Sequence, residues 1–366
     1  MKIIDIINQD RPTLSFEVFP PKKDTDFVDV EAAACSIAAY KPDYMSVTYG
    51  AGGSTKGHTI RLAKEIQEKY NVPTIAHLTC VCADKETIRK ALTEMKDAGI
   101  ENILALRGDV PKNYEGEVFT DFVHASELVR LIKETGDFCV GGACYPEVHP
   151  DSADKKADIE GLKKKVEAGC EYLTTQMFFD NTIFFNFMYR LRTAGVMVPV
   201  IPGVMPITKR VQVKNAVKLS GCNVPERFKS IVDAFGDTEA AMRQAGIAYA
   251  TDQVIDLMAN GVKHVHVYSM NKPDVAYGIQ KNLSEILKAL NTKMIGTGSY
   301  VENKIRPAEK PLSGLERYSK KNKTKIGDIS CEKSYENNLD SVCCDSGTCT
   351  DICRSTHRNR VSSGGC

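Results

Sequence analysis

The sequence predicts an α/β protein, a (β/α)₈ barrel followed by a Cys-rich C-terminal tail expected to be disordered. Three observations point there. Eight short β-rich runs, bounded by Gly, Pro and Asp, recur over about 290 residues. Helix-period segments such as "DKETIRKALTEMKDAG" and "KKADIEGLKKKVEAG" lie between them, with Gly at the closing position. Six of the runs alternate a polar with an apolar face, which suits a closed lumen better than six separate solvated edges. The rival is a doubly wound open sheet, but no G-x-G-x-x-G follows any strand.

Taken in order, "TLSFEVFP" places Leu14, Phe16 and Val18 on one face and Ser15 and Glu17 on the other. "DYMSVTYG" pairs Ser46 with Thr48, and "PTIAHLTC" pairs His77 with Thr79. "ENILALRGD" sets Arg107 and Asp109 on one face across a glycine, readable as a structural ion pair or as a guanidinium and a carboxylate for a ligand. "CVGGACYP" leads into "YPEVHP", where Tyr145 and His149 sit in a proline-bounded turn. "EYLTTQMFF" groups Thr174 with Gln176, whose amide both donates and accepts and so suits a heterocycle edge. "VPVIPGVM" is the seventh run, inside an uncharged stretch from Thr193 to Thr208. "HVHVYSM" completes the set with His264, His266 and Tyr268 on one face. Periodicity fades after about Asn291, so residues 1–295 are assigned to the barrel and 296–366 to a low-complexity tail.

Composition narrows the function classes. The chain has 366 residues, 42% hydrophobic and 26% charged, enough for a sizeable core. A net charge of +1 gives no general attraction to nucleic acid or anionic membrane. The opening "MKIIDIINQD" is charged too early for a secretory apolar region, and no apolar run would span a bilayer, so a cytoplasmic location is expected. Seven of the thirteen cysteines are scattered singly through the first 222 residues and read as reduced and buried.

Other motifs are weaker. "GAGGSTKGHT" looks like a phosphate loop, but His58 and Thr59 follow Gly57 where a Walker A needs Lys-Ser/Thr. Its plainer reading is a turn capping the next helix through Ser54 or Thr55. The lumen histidines lack a metal-binding spacing, and no G-x-S-x-G elbow occurs, so neither a catalytic metal nor a serine hydrolase is expected. In the tail, Cys344, Cys349, Cys353 and His357 are spaced as zinc ligands can be, without matching a standard finger; the alternative is a reduced, unstructured segment.

"LSFEVFPPK", "SVTYGAGGS", "AHLTC", "LALRGD", "YPEVHP", "TQMFFD", "IPGVMP" and "VHVYSMNKP" occur in register. Together they resemble the methylenetetrahydrofolate reductase family in its short bacterial form, over residues 1 to about 290. The resemblance implies a flavin-containing barrel that reduces 5,10-methylenetetrahydrofolate to 5-methyltetrahydrofolate, using FAD and either NADH or NADPH. It also implies a role in one-carbon metabolism and methionine synthesis, and a homo-oligomer. Glu17 would be the general acid and Asp109 a carboxylate beside flavin and pterin. Flavin positions would be Thr48, Tyr49, Ala51, His77, Arg107, Gly108, Asp109, Ala125, Tyr145, His149, Asp158 and Lys165. Asp109, Gln176, Gln212 and Lys272 would face the substrate. Two positions depart from the family pattern: Lys272 stands where Arg is familiar, and His124 where Tyr is. Two alternatives stay open, a folate flavoprotein fed by another donor and a flavin-binding subunit whose tail docks an iron–sulfur partner.

Overall fold

In the computed structural model, which describes residues 1–21, 27–50, 56–110 and 114–296, the first expected strand forms as β1, Thr13–Val18. It lies between β2 (Met45–Val47) and β9 (His264–Tyr268), parallel to both. β3 (Thr74–Thr79), β4 (Asn102–Leu106), β5 (Cys139–Cys144) and β6 (Tyr172–Thr175) follow, each parallel to the one before. The seventh expected strand arrives in two pieces. β7 (Val200–Ile201) pairs with β6, and β8 (Gly203–Val204) pairs with β9. Pro202 between them has no N–H for a ladder bond, but its carbonyl accepts from His266 N. Because β7 and β8 are consecutive in the chain, the sheet order β7-β6-β5-β4-β3-β2-β1-β9-β8 closes into a ring. The (β/α)₈ barrel is the observed fold.

Helices α2 (Phe27–Ala39), α3 (Lys56–Tyr70), α4 (Lys85–Asp97), α5 (Ala125–Thr135), α6 (Lys155–Glu167) and α7 (Asn181–Thr193) join successive strands. Three helices, α8 (Arg210–Ser220), α9 (Glu226–Phe235) and α10 (Glu239–Ala259), lead from β8 to β9, and α11 (Pro273–Gly296) follows. Aspartates start several of them. Asp84 accepts from Thr87 N at 2.7 Å, and Asp154 accepts from Lys156 N and Ala157 N at 2.8 Å. The two helix-period segments flagged in the sequence exit through Gly99 and Gly169, both at positive φ.

Alternation divides the strands as expected. Leu14, Phe16 and Val18, with Met45, Val47, Ala76, Leu78, Val265 and Val267, are buried against the helices in the main core. The opposite faces point inward. At the N-terminal end of the lumen, Tyr44, Ile75, Leu104, Cys139, Tyr172 and Ile201 form a separate apolar cluster. It is sealed by a helix the sequence reading did not anticipate, α1 (Ile3–Ile7), whose Ile3, Ile6 and Ile7 are buried there. Asn102 fastens this plug, accepting from Ile3 N at 2.8 Å and donating to the Met1 carbonyl at 3.1 Å.

By compactness the chain divides into Met1–Pro307 and Ala308–Cys366. The second unit, with the tail cysteines, lies outside the described residues. Of the seven cysteines before it, five are buried and two half-buried, and all are free thiols. Among the described residues no helix is long and apolar enough to cross a membrane.

Candidate active site

Glu17 is the penultimate residue of β1, on the inner face and near the mouth. Its side chain is 21% exposed. Oε2 lies 3.4 Å from Ser46 Oγ, 3.5 Å from His77 Nε2 and 4.0 Å from His266 Nε2. These imidazoles do not pair with it as cations, because burial pulls both His77 and His266 down to about 3. Burial acts on Glu17 in the opposite sense, pushing its carboxyl up to about 8, with Ser46 a smaller opposing influence. Near neutral pH the group is a carboxylic acid among neutral rings. Loop contacts hold it in place. Ser269 Oγ donates to the Glu17 carbonyl at 2.6 Å, and Asn271 pairs with Phe19, accepting from its N at 2.9 Å and donating to its O at 2.8 Å.

Around the mouth, β3 and β4 contribute the next group. His77 Nε2 and Thr79 Oγ1 are buried and have no hydrogen-bond partner among the described residues. Gly108 adopts φ +88°, and a Cβ there would lie 2.7 Å from Thr79 Cβ, so only glycine lets the chain turn against that strand. This turn corrects the expectation that Arg107 and Asp109 share a lumen face. β4 ends at Leu106 and its inward set is Asn102, Leu104 and Leu106, so Arg107 has the parity of Ile103 and Ala105. Its guanidinium pairs with Asp151 at 2.5 Å, not with Asp109, which is exposed.

β5 and β6 bring a third group. Tyr145 meets His149 edge-on at 4.5 Å, and His149 Nδ1 accepts from Asp151 N at 3.1 Å. Burial, then Arg107, lowers His149. Asp158, in the first turn of α6, accepts from Ser152 Oγ at 3.2 Å and is raised by burial. Lys165 Nζ donates to the Ala143 carbonyl at 2.6 Å and is lowered by burial. Gln176 N extends the ladder to the Cys144 carbonyl at 2.7 Å, and its Oε1 accepts from Met177 N at 2.9 Å.

The remaining expected positions sit on the same rim. Thr48 N donates to the Val18 carbonyl at 3.0 Å, and the Thr48 carbonyl accepts from Thr59 Oγ1 at 2.8 Å. Tyr49 is half-buried, its phenol pushed up to about 12 by burial. Ala125 opens α5, behind a cap in which Glu127 accepts from His124 N at 2.9 Å. Gln212 and Lys272 converge on a residue the sequence reading passed over, Thr208. Gln212 Oε1 accepts from Thr208 N and Lys209 N at 2.8 and 2.9 Å, which commits that oxygen to starting α8. Lys272 Nζ donates to Thr208 Oγ1 at 2.5 Å and is lowered first by burial, then by Lys209 and Arg243. Ala51, like the Ser54 and Thr55 caps, lies outside the described residues. Among the described residues, no group of three or more His, Cys, Asp or Glu is placed to hold a metal ion. Ser269, Asn271 and Thr208 had one faint signal, the Asn of "SMNKP", which takes the left-handed conformation at φ 52°.

Comparison with known proteins adds an independent line. A family model described as methylenetetrahydrofolate reductase matches residues 2–284. The chain is 34% identical over 340 residues to methylenetetrahydrofolate reductase (NADH) 1 of Zea mays, covering 86% of this chain and 57% of that protein. It therefore spans little more than half the length of that relative. It is 33% identical over 271 residues to the 5,10-methylenetetrahydrofolate reductases of Pectobacterium carotovorum and Escherichia coli, covering 74% of this chain and 90% of each of them. Among solved structures, a Clostridium thermocellum protein that binds two copies of 5-methyl-5,6,7,8-tetrahydrofolic acid shares the fold, with TM-score 0.51 and 14% identity. That likeness covers 79% of this chain and all of the other.

Proposed function

The chain belongs to the methylenetetrahydrofolate reductase family, and on that premise we propose that it reduces 5,10-methylenetetrahydrofolate to 5-methyltetrahydrofolate, with NADH or NADPH as donor and FAD as cofactor. The product would feed methionine synthesis. The observation that supports this most directly is the carboxyl of Glu17, kept protonated near neutrality at the mouth of the barrel.

The residues present fit FAD. Among the described residues the buried His77 Nε2 and Thr79 Oγ1 lack partners, and Gly108, having no side chain of its own, lets the backbone turn close against Thr79. Arg107 and Lys165 supply donors for phosphate and carbonyl oxygens. Thr48, Tyr49, Ala125, Tyr145, His149 and Asp158 complete the set that would hold the group, with Asp109 at its edge. When bound, the flavin supplies hydride chemistry.

The chain's own work is proton placement and orientation. Closed in its five-membered ring, the substrate is a poor hydride acceptor. Glu17 gives its proton to a ring nitrogen of the folate, the C–N bond breaks, and the resulting iminium is able to accept hydride. Glu17 is then a carboxylate, and its partly exposed side chain recovers a proton from water. Asp109 and Gln176 orient the pterin. Lys272 meets the glutamate carboxylate as a single point charge, where an arginine would offer a planar fork.

Anaerobic rapid mixing tests the reading in two halves. NADH or NADPH alone should bleach the flavin absorbance of the purified protein, and methylenetetrahydrofolate should restore it. Glu17→Gln should leave the bleaching intact and slow the restoration by at least ~10²–10⁴-fold, the span of one acid–base group. Failure of both nucleotides to bleach the flavin would mean another electron donor. Equal slowing of both halves would reduce Glu17 to a pocket-shaping residue.

A further inference from the structure

We propose that Ser46, His266 and Ser15 form a directional hydrogen-bond chain that holds Glu17 in its proton-donating form, with the Val265 carbonyl setting the direction. The proposal rests on the reading of Glu17 as the acid. It concerns three buried polar residues that this mechanism does not otherwise use.

The chain begins at its far end. Ser15 Oγ donates to the Val265 carbonyl at 3.2 Å, which uses the one proton a serine hydroxyl has. Ser15 Oγ also lies 2.7 Å from His266 Nδ1, so at that contact it accepts and Nδ1 carries hydrogen. The ring is neutral, so Nε2 is a bare acceptor. Ser46 Oγ, 3.0 Å from Nε2, spends its proton there. Donated to Glu17 Oε2, 3.4 Å away, the Ser46 proton would favour the carboxylate; committed to His266 Nε2 at the shorter distance, it leaves only lone pairs facing Glu17. A carboxylate facing those lone pairs is repelled, whereas a carboxylic O–H is received. Every donor in the chain points away from the mouth.

Ionising Glu17 breaks this order. Ser46 can turn its proton toward the carboxylate only by abandoning His266 Nε2, and His266 can follow only if Ser15 leaves the Val265 carbonyl. Each step leaves a buried acceptor or donor unsatisfied, which costs the full desolvation of that group. Among the described residues, the titratable groups facing Glu17 are His77 from β3 and His266 and Tyr268 from β9, and none of these is charged near neutrality. Tyr44, itself buried, stacks on His266 with ring centroids 6.0 Å apart. His266 touches neither substrate nor cofactor in this scheme. It is a positioning residue, and the proton leaves from Glu17 directly to the folate nitrogen.

Two spectroscopic readouts on the full-length purified protein test this. Nitrogen-15 NMR of histidine-labelled protein, with the His266 signals assigned by their loss in His266→Phe, should show hydrogen on Nδ1. In Ser15→Ala the direction is no longer imposed, and the signals should move toward the Nε2–H form. Difference infrared titration should follow the Glu17 carboxyl band, assigned by its absence in Glu17→Gln. Its midpoint should fall by about one pH unit or more in both Ser15→Ala and His266→Phe, because Ser46 becomes free to donate to the carboxylate. Ser15→Thr, which retains the hydroxyl, should keep the parental midpoint. Hydrogen on Nε2 in the parent, or an unmoved midpoint in both variants, overturns the proposal. If Ser15→Ala does not fold, the parental His266 tautomer decides alone. Should Glu17→Gln leave folate-driven reoxidation intact, the acid assignment fails while the tautomer and midpoint results stand separately.

Discussion

Glu17 has an ordinary carboxyl pKa of 4.5 in the unfolded chain and about 8 in the barrel. Between those values the folded protein binds a proton that the unfolded chain has released. Stability contributed by this group is therefore intact below pH 4.5 and lost as pH rises toward 8. The buried histidines act with the other sign. His77 and His266 fall to about 3 and His264 to about 4, so their contribution is present above the usual imidazole value and lost on acidification toward those values. Glu17→Gln removes only the first effect. It should match the parent near pH 5 and exceed it by on the order of 2–4 kcal/mol near pH 8, measured by urea unfolding of cofactor-free preparations. A difference that does not change with pH would show that Glu17 titrates normally in the fold. None of this is legible in "SFEVF" itself, because the shift comes from walls built by β2, β3 and β9.

At the scale of elements, alternation was the most readable signal. The strands β1, β2, β3 and β9 turn inward the residues their sequence parity assigns. The rule failed where an element ended. Arg107 lies one residue past β4, and the left-handed Gly108 then redirects the chain, so the Arg107–Asp109 pairing did not survive. It also could not find α1, since five residues are too few for a helical period to show. That helix has a measurable share in stability. Ile3 is fully buried beneath the lumen cluster, so Ile3→Ala should cost about 2–5 kcal/mol in denaturant unfolding. Flavin content of the folded fraction should not change, because the plug and the mouth lie at opposite ends. A loss below 1 kcal/mol would mean that α1 relaxes into the space left behind.

For the whole molecule, closure through β7 and β8 makes the site possible. An open sheet would leave the β6 and β9 sides of the mouth apart, whereas the ring brings Thr175 and Tyr268 into hydrogen-bond contact across β8. All the described elements lie within Met1–Pro307, and the family match ends at residue 284. Removing residues 308–366 should therefore leave the melting temperature and flavin occupancy nearly unchanged. Zinc analysis of the full-length and shortened chains would reveal whether the tail cysteines hold metal. Loss of soluble, flavin-loaded protein on truncation would instead make the tail part of the barrel's support.

The sequence by itself determined the eight-unit barrel, the parity of its strands and the family, because all three are written in local spacing and in motifs that neighbouring residues carry. It named Glu17, His77 and His266 as lumen residues for the same reason. Tertiary structure alone decided what those residues are chemically. Whether a carboxyl is an acid or an anion depends on groups 29, 60 and 249 positions away, Ser46, His77 and His266, arriving within 4.0 Å of it. Thr208 and Ser269 became visible only there too, since a small polar side chain shows no pattern until the loop it braces has a second wall. Spacing reports which face a side chain takes, and desolvation by distant parts of the chain decides its charge.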